Sequence, residues 1–361
     1  MNIIQTETLK GWGGQQNKVI NECLALKKQG HEVILICNPN ADIISFAEEK
    51  NINFITYPMN KRNFHKTIPF FLKLFKTKKI DLIITHGSTD SWIGGLSTKL
   101  SSKKVISLRE RHNLFPIKSY LSRWLHHTGF SGILSISDAV SDYLKSIGVE
   151  NKNIYYLPDS VDVENFCTKK STFREEFDIP DNALVIGTLT ALRKEKGAWD
   201  CCNTLIKIMQ NKNIWFVFGG KNYPETKSQI LNKLKKHNID TSRVIWTGFR
   251  NDIPNILNAF DIFLYPSHSE GLGTIILEAM ACSLPIIVYN KRPMSDLIRN
   301  YKNGMVAEFG KIDELINCCN KLVDDPNLRK KIGIINREIS MKKYSQGALE
   351  KRLENILKKF N

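Results

Sequence analysis

Short apolar runs alternate with helix-length amphipathic segments along almost the whole chain, and this rhythm restricts the fold more than any single residue does. Runs rich in Ile, Val, Leu and Phe predict strands at 2–6, 32–37, 53–56, 81–85, 104–108, 132–136 and 154–157. The stretches between them are long enough for helices, as at 15–29, which stops at Gly30. Strands separated by crossover helices form a parallel sheet, because antiparallel neighbours need only a tight turn. After Pro158 the rhythm loosens through an Asp- and Lys-rich stretch to Pro180, then restarts at Ala183-Leu-Val-Ile-Gly-Thr-Leu189. Further strands are predicted at 214–218, 243–246, 261–265, 285–288 and 305–308, and the remainder reads as helices, the last at roughly 344–360. A chain of 361 residues is too long for one ordinary core. The reading is two doubly wound α/β domains with a hinge near 160–180.

The apolar share of 42% and charged share of 24% are those of a water-soluble globular protein. No apolar run approaches the roughly 20 residues that span a bilayer. Residues 1–9 read as a strand carrying a glutamate rather than as a secretory signal, so a cytoplasmic location is expected. The eight cysteines (Cys23, Cys37, Cys167, Cys201, Cys202, Cys282, Cys318 and Cys319) form no C-x-x-C pair and are expected as reduced, buried thiols. The net charge of +16 is unevenly placed: fourteen Lys or Arg between Lys61 and Arg123 meet only Asp81, Asp90 and Glu110. Within it, residues 60–79 interleave basic residues with phenylalanines. One reading is an amphipathic helix burying Phe71, Leu74 and Phe75 beneath a solvated basic face. The other is a patch in the 61–123 region for anionic lipid head groups, where each basic residue adds about 1 kcal/mol. No recognition motif supports a nucleic-acid partner.

Glu270 and Glu278 bracket a glycine turn that follows the predicted strand Asp261-Ile-Phe-Leu-Tyr265. Strand, glycine turn and helix present backbone N–H groups and a positive helix dipole to an anion. Glu278 would lie roughly 6 Å along the helix from Thr274, where a carboxylate repels phosphate but accepts hydrogen bonds from vicinal hydroxyls. The ligand implied has phosphate at one end and a diol further on, as a nucleotide-sugar does. Leu192-Arg-Lys-Glu-Lys-Gly197 follows the first strand of the second half, and its Arg193 and Lys196 could clamp a pyrophosphate. Gly11-Trp-Gly-Gly14 is a tight turn into the first helix and lacks a complete phosphate-binding fingerprint. His86 and His112 follow first-half strands; neither has a metal-ligand partner at helical spacing, so no metal site is expected. Either could bond a sugar hydroxyl. His126 and His127 read as surface residues of a helix.

Taken together these residues resemble the retaining glycosyltransferases of family 4, the glycosyl transferases group 1. The likeness is strongest in Ile186-Gly-Thr-Leu189, Lys196-Gly197, Val244-Ile-Trp-Thr-Gly248-Phe, Glu270-Gly-Leu-Gly273, Glu278-Ala-Met-Ala281, Leu284-Pro-Ile-Ile-Val288 and Asn303-Gly304. Looser matches lie at Gly13-Gly14, Gln29-Gly-His-Glu-Val33, Ser137-Asp-Ala-Val140 and Val161-Asp162. The resemblance implies the GT-B architecture, two facing Rossmann-like domains: an acceptor domain at 1–165, a donor domain at 166–343, and a helix at 344–361 returning to the first domain. It implies that Glu278 holds the donor ribose and that Glu270 lies near the transferred sugar. Backbone groups of Gly271, Leu272, Gly273, Thr274 and Ile275 would meet the phosphates, with Lys196 neutralising the leaving diphosphate. Gly14 would approach the donor, Phe249 and Arg250 would border the base, and His112, ahead of His86, would contact sugar or acceptor.

The chain departs from the family pattern where Ala191 replaces an arginine, whose charge Arg193 is placed to supply. It also carries Asp159-Ser160, Ser283 and Asp296 where the family usually has Asn-Gly, Gly and Glu. The expectation is an active enzyme that moves a sugar from a nucleotide diphosphate sugar, UDP-linked by preference, to a glycan or glycolipid hydroxyl. No cofactor is implied beyond that co-substrate, and bacterial lipopolysaccharide, capsule and lipid-linked glycan assembly are the expected settings. The alternatives are a sugar-nucleotide epimerase of similar architecture and a non-catalytic nucleotide-sugar binding protein.

Overall fold

A computed structural model describes residues 1–210, 212–221 and 223–360. Seven parallel strands make the first sheet: β1 (Asn2–Glu7), β2 (Glu32–Cys37), β3 (Asn53–Thr56), β4 (Leu82–Thr85), β5 (Ile106–Arg111), β6 (Gly132–Ser135) and β7 (Ile154–Tyr156). Their order is β3-β2-β1-β4-β5-β6-β7. Six more make the second: β8 (Leu184–Leu189), β9 (Ile214–Gly219), β10 (Val244–Gly248), β11 (Ile262–Tyr265), β12 (Ile286–Tyr289) and β13 (Met305–Ala307). They lie in the order β10-β9-β8-β11-β12-β13. Each sheet grows in one direction from its first strand and then reverses, so β1 lies beside β4 (Ile3 opposite Leu82) and β8 beside β11 (Phe263 opposite Gly187). In such sheets ligands bind at the strand carboxyl ends where the order reverses.

The central strands are largely buried on both faces. Ile3, Val185, Ile186 and Phe263 are fully buried. Gly187 is required by packing, since a Cβ there would lie 2.1 Å from the Phe260 ring. Phe71, Leu74 and Phe75 of the helix Phe64–Thr77 are buried, as the amphipathic reading expects. All eight cysteines are free thiols; seven are buried and Cys167 is half-buried.

The chain divides into two units, Met1–Ser160 with Gln346–Asn361, and Val161–Ser345. The stretch 161–180 is tied to the second unit: Lys169 and Thr172 each donate a backbone N–H, both at 3.0 Å, to the side chains of Asn258 and Asn255. Arg174 bonds the Asp261 carboxylate at 2.8 Å. In the first unit the helix Gln346–Leu357 buries Leu349, Leu353, Ile356 and Leu357 in the same cluster as Val19, Cys23 and Leu26. Gln346 Nε2 donates to the Asn21 carbonyl at 2.9 Å, fixing where that helix begins on the surface of the first one.

Candidate active site

In the second unit two loops at the carboxyl ends of β8 and β11 are joined by one carboxylate. Glu270 Oε1 accepts hydrogen bonds from Lys196 Nζ at 2.7 Å, Tyr265 Oη at 2.6 Å and Ser267 Oγ at 2.8 Å. The Lys196 ammonium also donates to the Ser269 carbonyl at 3.1 Å. Burial, and then the Glu270 charge, holds the Tyr265 phenol well above its usual range, so it serves as a donor. Gly197 explains why a glycine follows the lysine. Its φ is +77°, and a Cβ would sit 2.2 Å from the Pro266 carbonyl oxygen, so the two loops touch backbone to backbone. A second tie comes from His268, whose N–H donates to the Glu195 carbonyl at 3.0 Å and whose ring meets Asp200 at 2.5 Å.

After Glu270 the chain turns through Gly273, at φ +86°, into the helix Thr274–Ala281. Glu278 is half-buried on that helix, as are Gly271, Thr274 and Ile275, while Leu272 is buried. Arg193 is exposed and pairs with Glu195 at 3.2 Å. Phe249 is 71% exposed beyond the end of β10. The Arg250 guanidinium bridges Asp252 at 2.7 Å and Glu176. Hydrogen bonding to Arg250 draws the Asp252 carboxyl down to about 2.

The first unit carries a buried polar network at the corresponding edge of its own sheet. Lys18 Nζ lies 2.9 Å from Glu22, 3.1 Å from Glu110 and 3.9 Å from Asp159, and also donates to the carbonyls of Leu157 and Pro158. One ammonium cannot balance three carboxylates. Lys18 is accordingly held charged, while burial and the Glu110 charge push the Glu22 carboxyl up to about 7. Glu7 fastens the turn around Gly11–Gly14: it accepts from the Leu9 N–H at 2.7 Å and from the side chains of Gln15 at 2.8 Å and Gln16 at 3.0 Å. Gly14 opens the first helix, Gly14–Lys28, directly behind that turn.

The two histidines weighed as alternatives are neighbours. His86 Nδ1 and His112 Nε2 are 2.9 Å apart, and the Glu110 carboxylate lies 3.2 Å from His86 and 3.9 Å from His112. Sequence spacing offered neither histidine a metal-ligating partner, yet these three side chains could hold a cation, their ligand atoms lying within 4.8 Å of one another. His86 follows β4 whereas Glu110 and His112 share the end of β5, so sequence spacing brings together only two of the three. His126 is a clear correction. It is buried, not on the surface; its ring accepts from Arg109 Nε at 3.2 Å, and burial pushes it down to about 4. His127 is exposed.

Sequence reasoning missed Lys18, Glu22, Glu110 and Asp159. The available signal was four-residue spacing of Lys18 and Glu22 on an otherwise buried helix face, beside charged residues ending an apolar strand.

Comparison with known proteins covers both units. The profile of the glycosyl transferases group 1 matches residues 169–339, and that of glycosyltransferase family 4 matches residues 12–165. The chain is 25% identical to the UDP-Gal:alpha-D-GlcNAc-diphosphoundecaprenol alpha-1,3-galactosyltransferase of Escherichia coli, over 99% of this chain and 95% of the relative. It is 22% identical to the capsular polysaccharide biosynthesis glycosyltransferase CapM of Staphylococcus aureus, over 93% and 87% of the two chains. Among solved structures it resembles a glycosyltransferase from Rickettsia africae, with TM-score 0.92 and 19% identity over 99% and 98% of the chains. Anabaena HepE in complex with UDP is similar at TM-score 0.90 and 16% identity, over 99% and 100%. The profiles fall on the two units in turn, and the chain belongs to the glycosyl transferases group 1, glycosyltransferase family 4, with the GT-B fold.

Proposed function

We propose that this enzyme transfers a sugar from a UDP-sugar to a hydroxyl of a lipid-linked glycan, with retention at the anomeric carbon. The observation that carries the reading is the Lys196–Glu270 pair at the sheet-order reversal, one residue before a glycine turn and a helix. Support for the donor comes from HepE, bound to UDP, and for the acceptor from the E. coli relative, named for a diphosphoundecaprenol-linked substrate. In the proposed step the acceptor oxygen bonds to the anomeric carbon from the face that the nucleotide diphosphate leaves. The acceptor proton passes to the departing diphosphate. Glu278 holds the ribose hydroxyls, Glu270 orients the transferred sugar, and Lys196 swings from Glu270 toward the developing phosphate charge. Backbone groups from Gly271 to Ile275 and the exposed Arg193 complete the phosphate cradle. Phe249 and Arg250 border the base; in the first unit Gly14 and His112 are the candidate contacts to sugar or acceptor.

A thermal-shift panel of nucleoside diphosphates and their sugars tests the donor, since a ligand of the native state raises apparent stability. UDP and a UDP-sugar should raise the melting temperature in a concentration-dependent way. A panel in which no nucleoside diphosphate does so would refute the reading.

No helix among the described residues is long and apolar enough to cross a membrane. For contact with a lipid substrate the exposed apolar residues matter more than the helix Phe64–Thr77, whose aromatics face inward. Phe115, Tyr120, Leu121 and Trp124 are 41–81% exposed along one short segment, with Lys118 and Arg123 between them. This mixture suits the interface of an anionic bilayer. Sedimentation with anionic vesicles at low salt should exceed that with neutral vesicles, and equal recovery would remove this contact.

A further inference from the structure

A cavity of about 350 Å³ lies in the first unit beneath the segment that carries those exposed aromatics. Its walls include Arg109, Arg111, His112, Lys118 and His126, with no aspartate or glutamate among the lining side chains. Arg109 is 4% exposed and Arg111 7% exposed. The hydrogen bonds of both guanidiniums go to neutral acceptors: Arg109 to His126 and to the Gly87 carbonyl at 2.5 Å, Arg111 to the Phe115 carbonyl. Arg111 Nε is buried with no hydrogen-bond partner among the described residues. The charge that most favours the Arg109 cation is the Asp90 carboxylate, which already accepts from Thr6 at 2.6 Å and from the backbone N–H groups of His86 at 2.9 Å and Gly87 at 3.0 Å. Burial pulls Arg109 down to about 10 and lowers Arg111 as well. Buried charges are tolerated when paired, and a guanidinium fork is matched by the oxygens of a phosphate.

We propose that this cavity binds the diphosphate of the acceptor, with the attached prenyl chain running over Phe115, Tyr120, Leu121 and Trp124. The proposal rests on the glycosyltransferase reading above and names the part of the acceptor that the first unit grips. Arg111 is the principal anchor, Arg109 supplies a second fixed charge, and Lys118 closes over the anion from the exposed segment. Such a grip discriminates lipid-diphosphate acceptors from neutral glycans.

Isothermal titration of the full chain with farnesyl diphosphate, farnesol and inorganic pyrophosphate tests it, with saturating UDP present so that the donor site is filled. Farnesyl diphosphate should bind at least tenfold more tightly than either fragment, and Arg111→Met should weaken it at least tenfold while UDP affinity is unchanged. Lys118→Ala, at an exposed position that leaves folding intact, should weaken it at least threefold. Equal affinity for farnesol would make the site merely apolar, and equal affinity for pyrophosphate would make it a free-anion site; either overturns the proposal. So does undiminished binding in Lys118→Ala or in folded Arg111→Met. Failure of UDP to bind the wild type would instead sink the donor reading and leave the cavity result standing.

Discussion

Lys196 is a cation held by two oxygens it can release. Its side chain is 20% exposed, and its partners are one carboxylate oxygen and one carbonyl. Replacement by alanine should lower kcat/KM by about 100-fold, roughly 2.7 kcal/mol of transition-state stabilisation, with little change in melting temperature. Nucleoside diphosphate release measures the first and calorimetry the second; near-normal turnover would remove Lys196 from the mechanism. His126 makes a different prediction. Its folded pKa, about 4 against an ordinary 6.5, means that the fold favours the neutral ring. Its contribution is therefore present above about pH 6.5 and is lost as pH falls through about 4. His126→Gln should flatten the stability profile in that window, measured by urea unfolding at several pH values; an unchanged slope would assign the acid sensitivity elsewhere. Lys196 and Glu270 were legible because a strand, a glycine turn and a helix are local. His126 was not, because its burial depends on Arg109, a residue of another element that sequence spacing does not bring near.

At the scale of elements, apolar periodicity located the strands but stopped short where function begins. β5 was expected to end at 108 and continues to Arg111, because its final residues are charged and nevertheless buried. Periodicity reads burial only through apolar side chains, so a strand that ends in a polar network looks like a loop. That network ties three pieces of chain together through one side chain: the helix Gly14–Lys28 carries Lys18, β5 carries Glu110, and the run after β7 contributes the Leu157 and Pro158 carbonyls with Asp159. Removing one partner of a buried ionic cluster leaves uncompensated charge, at a cost of about 3–5 kcal/mol. Lys18→Met should therefore destabilise the protein by about that amount in denaturant titrations. A loss under about 1 kcal/mol would show that the carboxylates take up protons and manage without the ammonium.

For the whole molecule, composition alone does not tell a linker from a bonded segment. The Asp- and Lys-rich stretch read as a hinge is fastened to the second unit by Asn255, Asn258 and Asp261. The helix Gln346–Leu357 places four aliphatic side chains in the core of the first unit, each worth roughly 1.5–3 kcal/mol when buried. Their sum rivals the 5–15 kcal/mol of a typical domain. A chain ending at Ser345 should lose the melting transition of the first unit, and limited proteolysis should leave a resistant fragment near 161–345. Full resistance of 1–160 in that truncated chain would contradict this. The same return of the chain bears on how the protein is made. Domains are generally completed in the order of their emergence from the ribosome. Here the second unit is contiguous in sequence, whereas the first waits for a helix translated after it. During synthesis the first unit therefore lingers with an uncovered flank, and its maturation is timed by a helix made only after the second unit has emerged.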